Sequence, residues 1–600
     1  EGEGDSEQPE ARGWVSVGPN NISGRVRTIV FDKFNDGVMF AGSAGGGLFI
    51  SVNNGNNWRE IDFSNGESYT VSAIAQGNDG AIYVGTGEGF YGQMFAAQSN
   101  RKTGLMGNGV YKITLGNSNW AEGLSTDEEK YAYVLENFNS VVINGTQPEK
   151  YNLEHEFAFV NDLAFVNDKL YIATMFGGLK IWDGSTLSNA TINNNVSVNV
   201  TDIKVNNSGK IAVAFDGEQG FEVALNTSDN TFSSVNFSTK GANDKYGRIE
   251  LSYAIKNNNM LYALVANQNG YLQGVYKANV DAENTQFGNK MISNSLYLGY
   301  SMNEAMAIAV NDLEQEYIYI ASDDMQRLFD ANGTDVFYSE AQTSYSTPRI
   351  SGSYVAPGIH SILFKENPQT AEDSINIYLA TDAGIYLFSK DMTQTYSWQP
   401  INKGLQSAQY YNVAAGPDGS IMGAAQSNAI TYIATPSLDG QKSADVVWSP
   451  NSLGYMNFEI QTDRDNVPYD FRIESQTGSN VAGSAIYRSK PNIRKPFILM
   501  RPYNGLTRTY SDGNDYTEIN DQTWHFGQGN NKLMSQQLVD KMEAAPFIAP
   551  MVYWESFNGD TKDSVEVKLI ATDQNNSISA TRVIRGEEQF RLIAGTELRD

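Results

Sequence analysis

The stretch V160-N-D-L-A-F-V-N-D-K-L-Y-I-A-T-M-F-G-G-L-K-I-W182 decides the fold. An apolar run ends in an Asn-Asp turn, L170-Y-I-A-T174 is almost wholly apolar or small, and a Gly-Gly pair precedes L179-K-I-W182. Alternation of period two, rich in β-branched and aromatic residues, marks strands, and Asn, Asp and Gly supply the tight turns between them. Three antiparallel strands are predicted, the second buried on both faces.

The unit recurs. Copies begin at Val26, Val71, Val160, Val200, Leu251, Ala307, Ile359 and Tyr411. Starts lie mostly about 45 to 55 residues apart, with one longer gap, which is the spacing of a four-stranded propeller blade. Weaker copies follow at 454–469, 495–510 and 547–554. The expected fold class is all-β, a β-propeller of four-stranded blades with roughly ten blade-like units. Periodicity leaves open one large propeller or two in tandem. The expected domains are an acidic flexible tether over 1–13, a propeller region over 14–520, and a last blade or the start of a β-sandwich over 521–600. Helix is expected only near 125–138, where Ser125 and Glu128 have capping-box spacing, and at 535–545.

Composition narrows the chemistry. The 600 residues carry a formal charge of -27, which repels phosphate backbones and argues against nucleic acid as a partner. There is no cysteine, so disulfides, thiol nucleophiles and thiolate metal sites are excluded. The three histidines, His155, His360 and His525, lie far apart, which gives a zinc site or an imidazole-based triad little to build on. No metal, cofactor or catalytic residue is expected. No run of 18 apolar residues exists to span a bilayer as a helix. Glu1 stands where Met would, so a leader either removed or never included in this sequence is expected.

S51-V-N-N-G-N-N-W58 follows the Asp-box pattern Ser-x-Asp-x-Gly-x-Thr-Trp with Asn at both variable positions. Its chemistry is that of a turn: Ser51 and Asn53 accept from turn amides, Gly55 supplies positive φ, and Trp58 packs back onto the blade. S389-K-D-M-T-Q-T-Y396 fits the same template through Ser389, Asp391 and Tyr396, and T509-Y-S-D-G-N-D-Y516 through Thr509, Gly513 and Tyr516. Repetition on separate blades makes the motif scaffold.

These motifs, with G18-P-N-N-I-S-G-R-V-R-T before the first strand and Y83-V-G-T-G-E88 in the second copy, resemble the sortilin-like Asp-box propeller proteins of Bacteroidota. The resemblance covers roughly residues 14–520 and is most specific in the first 120. It implies an exported protein at the outer membrane or cell surface, lipid-anchored through a removed or missing N-terminal Cys, with membrane contact through that anchor alone. The implied role is a non-enzymatic binding or scaffold subunit of a larger envelope assembly serving secretion, motility or outer-membrane protein biogenesis. A surface glycan- or nutrient-binding lipoprotein is the alternative, so the expected partners are envelope proteins or glycans.

Asp boxes also occur in sialidases, which need three arginines around the substrate carboxylate, a Tyr-Glu nucleophile pair and an acid/base Asp. Before Ser51 the chain offers Arg25 and Arg27, while G247-R-I-E250 and F471-R-I-E474 lack the motif's proline and come too late. A two-carboxylate glycosidase is open in principle, since 69 acidic residues supply many pairs. The partner-binding loop is expected in the long insertion G87-E-G-F-Y-G-Q-M-F-A-A-Q-S-N-R-K-T-G-L-M-G-N-G109, with Glu88, Phe90, Tyr91, Met94, Phe95, Arg101 and Lys102 as contact residues.

Overall fold

The computed structural model describes residues 22–415, apart from short breaks and the longer stretches 91–103, 342–354 and 367–374; beyond 415 it describes strands alone. The chain forms two compact units, Ile22–Gln409 and one that holds the strands from Tyr410 onward. Both are built of β-strands.

In the first unit the sheets are propeller blades. Blade 1 runs Val26–Phe31, Met39–Ser43, Leu48–Ser51 and Arg59–Ile61 in sequential antiparallel order. The first strands of blades 2 to 7 are Val71–Gln76, Val160–Val166, Asn199–Val205, Tyr246–Tyr253, Ala307–Asn311 and Ile359–Glu366. Each first strand runs beside the next, and that of blade 7 beside that of blade 1, which closes the ring. Blades 4 and 5 join through one parallel bridge between Gly220 and Tyr246. The short strand Gln286–Phe287 pairs with the last strand of blade 4.

Hydrophobic burial holds the ring together, because every blade presents apolar side chains on both faces. Phe40 and Ile50 of blade 1 share a core with Ile74 and Tyr111 of blade 2, and a separate core fills each later blade pair around the ring. The last joins Ile29 and Met39 of blade 1 to Tyr378 and Ile385 of blade 7. Burial on both sides explains why second strands such as Met39–Ser43 and Ile82–Thr86 are buried throughout.

The segment 401–407, after blade 7, returns over blade 1. Trp58 donates its indole N–H to the Ile401 carbonyl at 2.8 Å, and its backbone N–H to that of Lys403 at 2.8 Å. The approach needs glycine at Gly24 and Gly45, where a Cβ would lie 2.0 and 1.8 Å from the Ser407 carbonyl oxygen.

The helix falls where it was expected, at Asp127–Asn137, but its capping box is Thr126 with Glu129 in place of Ser125 with Glu128. Both pairs have the spacing. The Glu129 carboxylate accepts from the amides of Ser125 and Thr126, so the chain turns one residue later. Among the described residues no helix is long and apolar enough to cross a membrane.

In the second unit Tyr410–Ala415, Ile421–Ala425, Ala429–Ile433 and Asp470–Ile473 form a four-stranded sheet. Gly483–Ile486, Lys495–Arg501 and Gly505–Ser511 form a three-stranded one. Met551–Glu555 pairs with Phe590–Ala594, and Val565–Thr572 with Ser577–Ile584. The expected helix at 535–545 lies outside the described residues.

Candidate active site

Strands alternate in direction, so each blade has two unlike ends. One end carries the turns between first and second and between third and fourth strands. The other carries the turns between second and third strands, with the connections that link blades. Buried charge collects at this second end.

Six of the seven first strands begin with a β-bulge, which leaves Arg27, Ser72, Asn161, Thr201, Arg248 and His360 at the unpaired positions. A bulge bends the strand and re-aims a side chain. Three of these residues, from blades 1, 5 and 7, meet. Arg27 and Arg248 both donate to the Glu304 backbone carbonyl, each at 3.1 Å, and both guanidinium groups lie over the Phe90 ring, at 5.8 and 3.8 Å from its centre. Such cation–π contacts strengthen where water is excluded. Arg27 Nη1 lies 2.6 Å from His360 Nδ1, and His360 Nε2 lies 2.8 Å from Asp382 Oδ1.

Glu88 anchors the arginines. Arg25 donates Nε at 2.9 Å and Nη2 at 2.5 Å to its two oxygens, and Arg27 Nε is 3.5 Å from Oε1. Arg248 binds Glu250 through Nε at 3.0 Å and through Nη2. Every arginine here is matched to a carboxylate.

Glu304 differs. It sits on the connection into blade 6, partly exposed, and among the described residues no hydrogen bond holds its carboxyl oxygens. Burial and then the negative charge of Asp382 push its pKa up from 4.5 to about 7, against the pull of Arg25. A carboxyl in this state is about half protonated at neutrality, where an ordinary one is ionised. His360 goes the other way: burial and then the positive charge of Arg27 hold its pKa well below the ordinary value. Arg27 is lowered to about 10, chiefly by burial, and stays charged at neutral pH.

A second charged group lies on the first strands of blades 3 and 4. Lys204 Nζ reaches Asp162 Oδ2 at 3.0 Å and also contacts Asp202, whose Oδ2 accepts from the Leu251 amide at 2.7 Å. Burial raises the Asp202 pKa well above the ordinary value, while Asp162 stays below it, since the burial is outweighed by the Lys204 charge together with hydrogen bonds from Asp202, Lys204 and the Ile203 amide. Among the described residues no group of His, Asp and Glu could hold a metal ion.

The residues expected to form a partner-binding loop divide. Glu88 and Phe90 are only 2% and 3% exposed, so the structure corrects their assignment to an exposed contact surface. Phe90 packs with Ala158, Phe159 and Met175, and Glu88 is spent on the arginines. Tyr91, Met94, Phe95, Arg101 and Lys102 lie outside the described residues.

Ser51–Trp58 is the turn between the third and fourth strands of blade 1, at the end away from the charge cluster. Ser51 Oγ accepts from the Gly55 amide at 2.9 Å and donates to Asn53 Oδ1 at 3.0 Å, and Asn53 Oδ1 accepts from the Asn57 amide at 3.0 Å. Asn54 and Gly55 hold φ of 60° and 87°. Ser389 and Tyr396 flank the corresponding turn of blade 7, and Thr509 lies in the strand Gly505–Ser511. Asp391, Gly513 and Tyr516 lie outside the described residues. Glu304 and Asp382 carried no signal in the sequence, while Arg27, Arg248 and His360 did: each is the polar residue just after or before an apolar strand start.

The chain is a β-propeller protein. Neither a protein-family model nor a curated protein matches its sequence. Among solved structures the fold is similar to that of an ancestral GH74 enzyme, with a TM-score of 0.50 and 16% identity; the match covers 84% of this chain and 62% of that one. The chain thus spans less than two thirds of that structure. It also matches the GH74 enzyme of Niastella koreensis, with a TM-score of 0.47 and 15% identity over 83% of this chain and 72% of that one. For the GH74 xyloglucanase of Xanthomonas campestris the values are 0.47 and 12%, over 84% and 74%.

At this identity the likeness shows the fold. The expected function is corrected to that extent: the first matched structures are of GH74 enzymes, and neither a non-enzymatic envelope scaffold nor a surface glycan- or nutrient-binding lipoprotein has support. The expectation that the chain is not an enzyme is likewise unsupported.

Proposed function

We propose that the chain is a glycoside hydrolase whose active site is the charged end of the ring. The observation that carries this reading is the Glu304 carboxyl: partly exposed, without a hydrogen-bond partner among the described residues, and with its pKa pushed up to about 7 by burial and Asp382. Hydrolysis of a glycosidic bond needs such an acid beside a second carboxylate. Asp382 is the second, near enough for its charge to raise Glu304. Glu304 gives its proton to the glycosidic oxygen as the C1–O bond breaks. Water supplies hydroxyl to C1, and the proton it sheds goes to Asp382; exchange with solvent then restores both groups. The likeness to GH74 enzymes supports the reaction class.

The test is an assay of the purified protein on a panel of polysaccharides that includes xyloglucan. Hydrolysis is expected, with Glu304→Gln lowering kcat/KM by about 10² to 10⁴-fold. Because the acid must hold its proton, activity should fall as pH rises through about 7. Absence of hydrolysis across the panel, or full activity in a folded Glu304→Gln protein, would overturn the reading.

A further inference from the structure

The hydrogen bonds of His360 fix more than its position. Arginine has five N–H donors and no acceptor. Its Nη1 lies 2.6 Å from His360 Nδ1, so Nδ1 must present a lone pair. The ring proton is then on Nε2, 2.8 Å from Asp382 Oδ1. A doubly protonated ring would set an N–H against the guanidinium. Charge agrees with geometry: His360 feels Arg27, Arg25 and Arg248 on blades 1 and 5 against Glu88 on blade 2 and Asp382 on its own blade.

Arg27 is itself held on two sides, by Glu88 Oε1 at 3.5 Å and by the Glu304 carbonyl at 3.1 Å. It therefore connects the two carboxyl-bearing residues, reaching Glu304 through its backbone and Asp382 through the imidazole. Both Arg27 and His360 occupy bulge positions, so neighbouring blades aim the two side chains at each other by the same device.

We infer that Arg27 and His360 form a positioning pair: Arg27 locks His360 as the neutral ring protonated on Nε2, and that ring holds Asp382 in place as a hydrogen-bond acceptor. Nothing is transferred through His360. Its effect on catalysis rests on the glycoside hydrolase reading above; the locked tautomer does not.

The experiment has two arms. With only three histidines in the chain, ¹⁵N-histidine labelling of the full protein gives a readable NMR spectrum, and loss of signals in His360→Gln assigns His360. Its ring should show one protonated nitrogen, Nε2, unchanged from about pH 5 to 8, and should begin to titrate in Arg27→Gln. Titration near the ordinary 6.5 in the wild type, or a proton on Nδ1, overturns the inference whatever the enzyme does.

The second arm reads kinetics. Gln keeps one acceptor and one donor, whereas Leu has neither. His360→Leu should lower kcat about 10- to 100-fold with KM nearly unchanged, and His360→Gln should recover most of the loss. Equal kcat in all three proteins overturns the positioning role. If the wild type hydrolyses nothing, the reaction class fails and the spectra still decide the tautomer.

Discussion

The two ends of the ring use similar side chains to opposite effect. At the Ser51–Trp58 end the oxygens that build the turn finish on its own backbone, Ser51 on the Gly55 amide and Asn53 on that of Asn57, while exposed side chains pair outward, Asn53 Nδ2 with Asp127 and Lys365 of blade 7 with Asn54. At the other end polar groups finish on one another across blades 1, 2, 5 and 7, and the Glu304 carboxyl has no hydrogen-bond partner among the described residues. Oxygens satisfied within their own turn have nothing to give a ligand. A long-range set with a raised-pKa carboxyl does.

The ion pairs make the sharpest test of that contrast. Glu88 is buried, and its loss leaves Arg25 and Arg27 without their main counter-charge. Glu88→Gln should destabilise the protein by about 3 to 5 kcal/mol, the usual cost of breaking a buried pair. The pair in which Arg59 Nη2 reaches both Glu128 oxygens, at the Ser51 end, is exposed on the Glu128 side, and Glu128→Gln should cost under about 1 kcal/mol. Urea denaturation of both proteins decides it. Equal losses would mean that the charged end is no more tightly coupled than the surface.

How much of this was legible in the sequence follows the same division. The first strands were, because repeated patterns state them directly; the expected starts and the observed strands agree to within a few residues at Val26, Val71, Val160, Ala307 and Ile359. The bulges were written there too. V26-R-T-I29, V160-N-D-L163 and I359-H-S-I362 all space their first two apolar residues three apart, where alternation calls for two. That break in period is the signal for Arg27 and His360. Glu304 and Asp382 carry no comparable mark, because their roles come from neighbours in other blades, and pairing across a ring leaves no local pattern. Ring closure was hidden for the same reason, since Trp58 meets Ile401 across more than 340 positions.

Glu304 gives the intermediate effect. Its pKa is raised from 4.5 to about 7 on folding, so between these values the folded state binds the proton more tightly than the unfolded state. This stabilisation is complete below 4.5 and is lost as pH rises through about 7. After discounting for partial exposure, the wild type should lose about 2 kcal/mol more than Glu304→Gln between pH 5 and pH 8. Urea titrations of both proteins at the two pH values measure the difference. Parallel pH dependence would show that Glu304 is not perturbed and would remove the basis for its acid role.

The smallest effect belongs to the Asp-box-like turn, and it tests the other half of the contrast. Ser51 is buried, and its hydroxyl is the acceptor for the Gly55 amide. Ser51→Ala leaves that buried amide without its acceptor, at a cost of about 1 to 2 kcal/mol. Ser51→Thr keeps the oxygen, and its loss is limited to whatever room the added methyl needs. In both variants kcat/KM should stay within about twofold of the wild type, because this turn lies at the opposite end of blade 1 from Arg27. A fall in activity that exceeds the fall in stability would show that the two ends are coupled through blade 1, and that the turn serves the active site as well as the fold.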